Sequence, residues 1–255
     1  MPAATASKEA AVKLELWYSD MVSFMTHASE YGEYYQQLVC KMLPYLSKAF
    51  HICDAGSGLG YLSLALAPHV RQVTAVEKHP DAAAVLERNC RDKGVPNVVS
   101  QCAAVEAALP DKQYDAMVFC FFGSVRETLI TAKQQCRDDV FVFTRNYTNH
   151  RFSAGAYATG MEGYPEYCCV LEQLGIPYEK ETFALEFGQP FRDFEEARLF
   201  FRLYSKDTDK SLLTEEFLRN KLTNTGREDF PLYLPHRKQI AFFHFSAKDI
   251  PEQIG

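Results

Sequence analysis

The chain opens with aromatic and apolar side chains over residues 8–46, and the spacing from Tyr31 to Leu43 predicts a helix with one buried stripe that closes at Pro44. From His51 the pattern changes to short apolar or β-branched runs alternating with helical stripes. The runs are His51–Asp54, Val73–Val76 (ending at Glu77), Val98–Val99, Tyr114–Cys120, Val140–Thr144, 181–187 and Gln239–Phe245. The stripes are Tyr61–Ala67, a helix begun at Pro80 and capped by Gly94, then 124–136, and 165–174 closed by Gly175. Strands separated by single helices predict right-handed crossovers and a mostly parallel α/β sheet with helices on both faces. Residues 188–235 read as two helical patterns, 193–204 and 212–222, within a polar stretch. So long an excursion before the final run predicts a seventh strand inserted antiparallel. The expected organisation is a single structural domain: a helical cap over 1–48 acting as a lid, and an α/β core over 49–255 carrying a helical insertion at 188–235. The cap and the insertion both flank the expected site edge of the sheet, so together they are expected to cover it.

Composition narrows the function classes. The 255 residues hold 27 Lys+Arg against 33 Asp+Glu, a formal net charge of −6. That balance gives no long-range pull on nucleic acid or an anionic membrane. The longest uncharged stretch, Ala55–Val70, falls short of the about 17 residues a membrane helix needs and is broken by glycines and a proline. The first residues show no apolar segment after a basic start, so a cytoplasmic location is expected. Eight cysteines (Cys40, Cys53, Cys90, Cys102, Cys120, Cys136, Cys168, Cys169) have no zinc-type spacing and read as free thiols. The adjacent Cys168–Cys169 pair reads either as a soft-metal ligand set or as two small residues on a helix; no metal is expected.

The informative segment is Asp54-Ala55-Gly56-Ser57-Gly58-Leu59-Gly60, which leaves a strand and opens a helix. Glycines there permit a tight turn and a close approach of backbone to ligand. The spacing is not the dinucleotide fingerprint, which would need glycine at Tyr61, and no Gly-Lys-Ser/Thr is present for a phosphate loop. Asp54-x-Gly56-x-Gly58-x-Gly60, with Glu77 ending the second strand seventeen residues after Gly60, resembles the cofactor signature of class I S-adenosylmethionine-dependent methyltransferases. The resemblance runs over residues 30–145 and takes in Tyr114–Cys120 as the fourth-strand motif. Phe187–Phe191 and Tyr233–His236 are similar to segments of a subgroup of small bacterial methyltransferases.

The resemblance implies a Rossmann-like fold, S-adenosylmethionine as cofactor and S-adenosylhomocysteine as product. The cofactor-binding set it implies is Asp54, Gly56, Ser57, Gly58, Gly60, Glu77, Lys78, Ala104, Val105 and Cys120. A carboxylate at Glu77 can accept from both ribose hydroxyls, and Asp54 lies toward the ammonium of the amino-acid end. Lys78 and His79 would flank the adenosine, and Cys120 with Phe121 would border the methionine arm. At the position where the family usually carries an Asp against adenine, this chain has Ala104. That leaves backbone groups or Glu106 to hold the base.

Methyl transfer from a sulfonium is an in-line displacement with a good neutral leaving group, so positioning and exclusion of water dominate. A general base is required only for a weakly acidic hydroxyl or a protonated amine. The acceptor is expected beyond the carboxyl ends of the strands, near Cys120–Gly123, Arg145–Tyr147 or the N-terminal Tyr31, Tyr34 and Tyr35. Tyr31, Arg145 and His150 are the catalytic candidates, and His79 is a further possible base. Each also has a plain structural reading, as does Cys120 as a small packed residue. After the fourth strand stands Cys120-Phe121-Phe122-Gly123, with neither the Asn/Asp-Pro-Pro-Tyr/Phe nor the Pro-Cys motif of nucleic-acid methylation. The expected function is therefore methyl transfer to O, N or S of a small molecule by a monomer or homodimer. A non-catalytic S-adenosylmethionine-binding or regulatory protein is the alternative, and an RNA or protein methyltransferase ranks behind both.

Overall fold

The computed structural model describes residues 20–147, 152–155 and 163–254. In chain order the elements are helix α1 (20–31), α2 (Tyr34–Met42), β1 (His51–Ala55), α3 (Tyr61–Leu66), β2 (Gln72–Glu77), α4 (Pro80–Asp92), β3 (Val98–Cys102) and β4 (Tyr114–Cys120). They continue as α5 (Val125–Gln135), β5 (Cys136–Arg145), α6 (Tyr164–Gln173), β6 (Tyr178–Glu186), β7 (Gln189–Phe191), α7 (Phe194–Tyr204), α8 (Glu215–Lys221), β8 (Thr223–Asn224), β9 (Leu232–Leu234) and β10 (Arg237–Ser246).

The described residues group into two compact units. The larger holds 34–147, 163–185 and 238–254, and is built on a seven-stranded sheet in the order β3-β2-β1-β4-β5-β10-β6. β1 pairs parallel with β2 and with β4, and its Ile52, Cys53 and Ala55 are fully buried, because helices cover both faces of a parallel sheet. β4 pairs parallel with β5, whereas β10 runs antiparallel to β5 with Ile240 opposite Arg145. The α/β class, the seven strands and the antiparallel last strand are as the sequence predicts. One core layer combines Met117, Phe119, Leu129, Val142, Tyr167 and Phe243. On α2, Tyr34, Leu38, Val39 and Met42 form the buried stripe, and Tyr35 stacks on Tyr61 of α3 at 5.8 Å between ring centroids. The strand order reverses at β1/β4, so a crevice opens beyond the carboxyl ends of those strands.

The smaller unit holds residues 20–33, 152–155 and 186–237. Phe24, Phe191, Phe200 and Phe201 fill its core, with Phe24 and Phe200 edge-to-face at 5.1 Å. Asp193 caps α7 by accepting from the Glu196 N–H at 2.8 Å, and Thr214 caps α8 by accepting from the Phe217 N–H.

The elements differ from the sequence pattern in four places. The helix predicted from Tyr31 to Leu43 is interrupted at Gly32–Glu33, where glycine, among the weakest helix formers, lets the chain turn between α1 and α2. β5 begins at Cys136 rather than Val140, its first residues Arg137, Asp138 and Asp139 being polar and partly exposed. β6 begins at Tyr178, again through a polar, exposed stretch without alternation. The 188–235 segment holds a three-stranded antiparallel sheet, β7-β9-β8, besides its helices. Pro190 sits on β7, an edge strand, where a missing N–H is tolerated.

Candidate cofactor and acceptor sites

The glycine loop leaves β1 and folds back on β2. Gly56 and Ser57 N–H groups both donate to the Val76 carbonyl, at 2.9 and 3.0 Å, and the Leu59 carbonyl accepts from Asn89 of α4. Gly56 has φ +70°, and a Cβ there would lie 2.1 Å from the Phe122 ring. Gly60 has φ +83°, and a Cβ would lie 2.5 Å from Leu86. Both positions thus require glycine twice over, by conformation and by space. Glu77 ends β2, almost fully buried, and its two carboxylate oxygens accept from the Gly58 N–H at 3.0 Å and the His79 N–H at 2.8 Å. Each oxygen keeps a second lone pair for an incoming hydroxyl.

Asp54 is buried at the end of β1 and accepts from the Ser63 hydroxyl at 2.6 Å. Burial pushes its carboxyl up to about 6; the Ser63 hydrogen bonds oppose the rise, and the Glu77 charge adds to it. The Ser57 hydroxyl oxygen is buried with no hydrogen-bond partner among the described residues. An orphaned hydroxyl in a loop whose glycines exclude side chains is the kind of group a polar ligand satisfies, and with Asp54 and Glu77 it fits the amino-acid and ribose ends of S-adenosylmethionine.

Two cavities lie at this edge. The first, about 470 Å³, is bordered by Lys78, Ala104, Val105, Glu106, Phe119 and Phe122. The Val105 carbonyl there accepts from Gln135 at 2.7 Å, which fixes the turn after β3. The second, about 520 Å³, is bordered by Phe121, Phe143, Arg145, Tyr147, Tyr167 and Lys238, and shares Phe122 and Gly123 with the first. Phe121 is the one described non-glycine residue with positive φ (54°). Its N–H donates to the Phe143 carbonyl at 2.8 Å, and its ring lies 3.5 Å beneath the Lys238 ammonium. A left-handed phenylalanine costs about 1–3 kcal/mol, and such outliers cluster at functional sites. Gly123, also left-handed at φ +72°, and the Ser124/Glu127 capping box then lead into α5.

The structure thus brings together Asp54, Gly56, Ser57, Gly58, Gly60, Glu77, Lys78, Ala104, Val105 and Cys120 at the ends of β1 to β4. Arg145 ends β5 and borders the second cavity. Desolvation pushes the Cys120 thiol up to about 12, with the Lys238 charge opposing, so it stays protonated at neutral pH. Tyr31 lies in the smaller unit, stacked on Tyr233 at 4.9 Å and under the Arg227 guanidinium. His150 lies outside the described residues. His79 is the residue preceding α4.

Sequence reasoning missed Lys238; Phe122 falls within the acceptor segment Cys120–Gly123 that the sequence indicates, and the structure makes it a residue shared by both cavities. Lys238 is only partly exposed, its ammonium lies 5.6 Å from the Tyr34 ring, and desolvation brings the amine down to about 8. The antiparallel direction of the last strand was itself the available signal. It carries the start of β10 to the edge where β4 and β5 end.

The fold and loop define an α/β domain whose glycine loop lies at the sheet's topological switch point, the place where open α/β sheets take their ligands. Residues 52–137, about a third of the chain, match the family model described as "Methyltransferase domain". A stretch of 67 residues is 37% identical to an uncharacterized RNA methyltransferase of Gloeobacter violaceus, spanning 26% of this chain and 15% of that relative. The YcgJ protein of Bacillus subtilis superposes with a TM-score of 0.56 at 14% identity, over 84% of this chain and 98% of its own. A candidate methyltransferase of Bacillus halodurans gives 0.54 at 14%, over 83% and 98%. At such identity these two likenesses are likenesses of fold. No described helix is long and apolar enough to cross a membrane.

Proposed function

We propose that the protein is an S-adenosylmethionine-dependent methyltransferase acting on O, N or S of a small-molecule acceptor. The observation that carries this reading is the pairing of a glycine-and-carboxylate cradle with a second cavity beyond β4 and β5, the two cavities at this edge sharing Phe122 and Gly123. When bound, S-adenosylmethionine supplies an electrophilic methyl group on a sulfonium. Glu77 binds the ribose hydroxyls, Asp54 in its ionised form binds the ammonium, and the Ser57 hydroxyl gains a partner. The backbone around Ala104 and Val105, with Glu106, borders the base. Phe121, Phe122 and Phe143 keep water from the transfer point, where the chain's contribution is orientation and desolvation. A cavity of about 520 Å³ suits a compact ligand rather than a polymer segment.

The name of the Gloeobacter violaceus relative favours RNA as a second reading, against which stands the net charge of −6. Calorimetric titration with S-adenosylmethionine and S-adenosylhomocysteine, repeated on Glu77→Ala, tests the cofactor. Release of S-adenosylhomocysteine against panels of small nucleophiles and of structured RNA then tests the acceptor. Turnover with RNA alone refutes the small-molecule reading, and tight binding without turnover on either panel favours a binding or regulatory protein.

A further inference from the structure

The second cavity has a composition that specifies more than size. Its walls are aromatic, with Phe121, Phe122, Phe143, Tyr147 and Tyr167 among its ten bordering residues. Two cations, Arg145 and Lys238, complete it, and no carboxylate is among the described residues that border it. The two come from adjacent antiparallel strands. Arg145 is the last residue of β5 and lies opposite Ile240, so Lys238, two residues earlier on β10, lies past the end of β5. They are close enough for the Arg145 charge to disfavour a charged Lys238. The Lys238 ammonium is further fixed by the ring of the left-handed Phe121 at 3.5 Å.

Building on the methyltransferase reading, we propose that this cavity is the acceptor site and that its acceptor is a planar aromatic or conjugated acid. The carboxylate lies between Arg145 and Lys238, and the ring lies among Phe121, Phe143 and Tyr147. A guanidinium fork and an ammonium together match both oxygens of a carboxylate, and the flat walls match a ring. The nucleophilic atom on the ring is thereby held at Phe122 and Gly123, which the two cavities share. In this arrangement Lys238 and Arg145 select the substrate. In the transfer the S–CH3 bond of the sulfonium would break with its electron pair staying on sulfur as a neutral thioether, the methyl would bond to the ring substituent, and that substituent's proton would leave to water, with no redox change.

The test uses the full chain, saturated with S-adenosylhomocysteine and also without it, titrated by calorimetry with 4-hydroxybenzoate, 4-hydroxybenzamide and inorganic phosphate. The acid is expected to bind at least about tenfold more tightly than the amide or phosphate. Lys238→Met and Arg145→Met should each remove that preference, Lys238→Arg should restore most of it, and S-adenosylhomocysteine affinity should stay within about threefold in all three, which also reports that they fold. Equal binding of acid and amide, or no binding of the acid, overturns the proposal, as does equal binding of phosphate and acid. If S-adenosylhomocysteine binds while the acid does not, only this inference fails. If the acid binds and S-adenosylhomocysteine does not, the methyltransferase reading fails instead.

Discussion

Replacing Asp54 by Asn separates what this carboxyl does for ligand binding from what it costs the fold. In the folded chain its pKa is raised to about 6 from an ordinary 3.8, chiefly by burial. A raised carboxyl means that the native state holds its proton longer than the unfolded chain does. Stability from this group is therefore fully present below pH about 4 and declines as pH rises toward about 6. Between about pH 5 and about pH 8 the loss comes to about 1.4 kcal/mol, and the total at the higher pH to about 3 kcal/mol. Asparagine keeps an oxygen to accept from Ser63 (2.6 Å in the native chain) but never ionises. Urea unfolding of the ligand-free protein and of Asp54→Asn at both pH values forms a cycle in which every other titrating group cancels. The wild type should lose about 1–2 kcal/mol more than the variant over that interval. A difference below about 0.3 kcal/mol, or one of opposite sign, refutes the argument that Asp54 is an uncomfortable buried anion.

The same carboxyl makes ligand binding pH-dependent. If its ionised form pairs with the cofactor ammonium, S-adenosylhomocysteine affinity should fall about tenfold per unit below pH about 6, and a flat calorimetric profile would contradict that pairing. Gly56→Ala should abolish S-adenosylhomocysteine binding and lower stability by at least about 1 kcal/mol, because its Cβ meets the Phe122 ring; Gly56→Ala/Phe122→Ala should recover part of the stability in thermal melts. Glu77→Gln turns one acceptor oxygen into a donor facing the Gly58 or His79 N–H, so affinity should drop at least about tenfold, and an unchanged Kd would count against the ribose assignment. Ser124→Ala removes the acceptor for the Glu127 N–H and should cost about 1 kcal/mol by chemical unfolding, with cofactor affinity nearly unchanged.

Much of the cofactor side was legible because its residues are consecutive or tied by a fixed crossover. A glycine loop between a strand and a helix, with an acid ending the next strand, leaves few geometries, and Glu77 bonds the loop as its position suggests. The acceptor side was less legible because it is assembled from distant segments. A lysine just before a strand is an ordinary solvated residue in any local window, and Lys238 acquires significance only from the register of β10 on β5. The left-handed Phe121 carries no local signal either, since nothing in Cys120-Phe121-Phe122-Gly123 favours positive φ before the glycine. The three-stranded sheet of the smaller unit consists of strands two or three residues long, too short for an alternation to register. The polar beginnings of β5 and β6 hid for a related reason: main-chain pairing holds them, and their side chains face outward.

The antiparallel last strand also orders events in time. Chains emerge from synthesis with the N-terminal part first, and folding units form as they become complete. Once residue 145 has been made, the chain holds the whole glycine cradle, both acids and the turn after β3. Lys238 and the strand that carries it follow only after about ninety more residues. A nascent protein therefore owns the glycine cradle long before Lys238 arrives to border the second cavity.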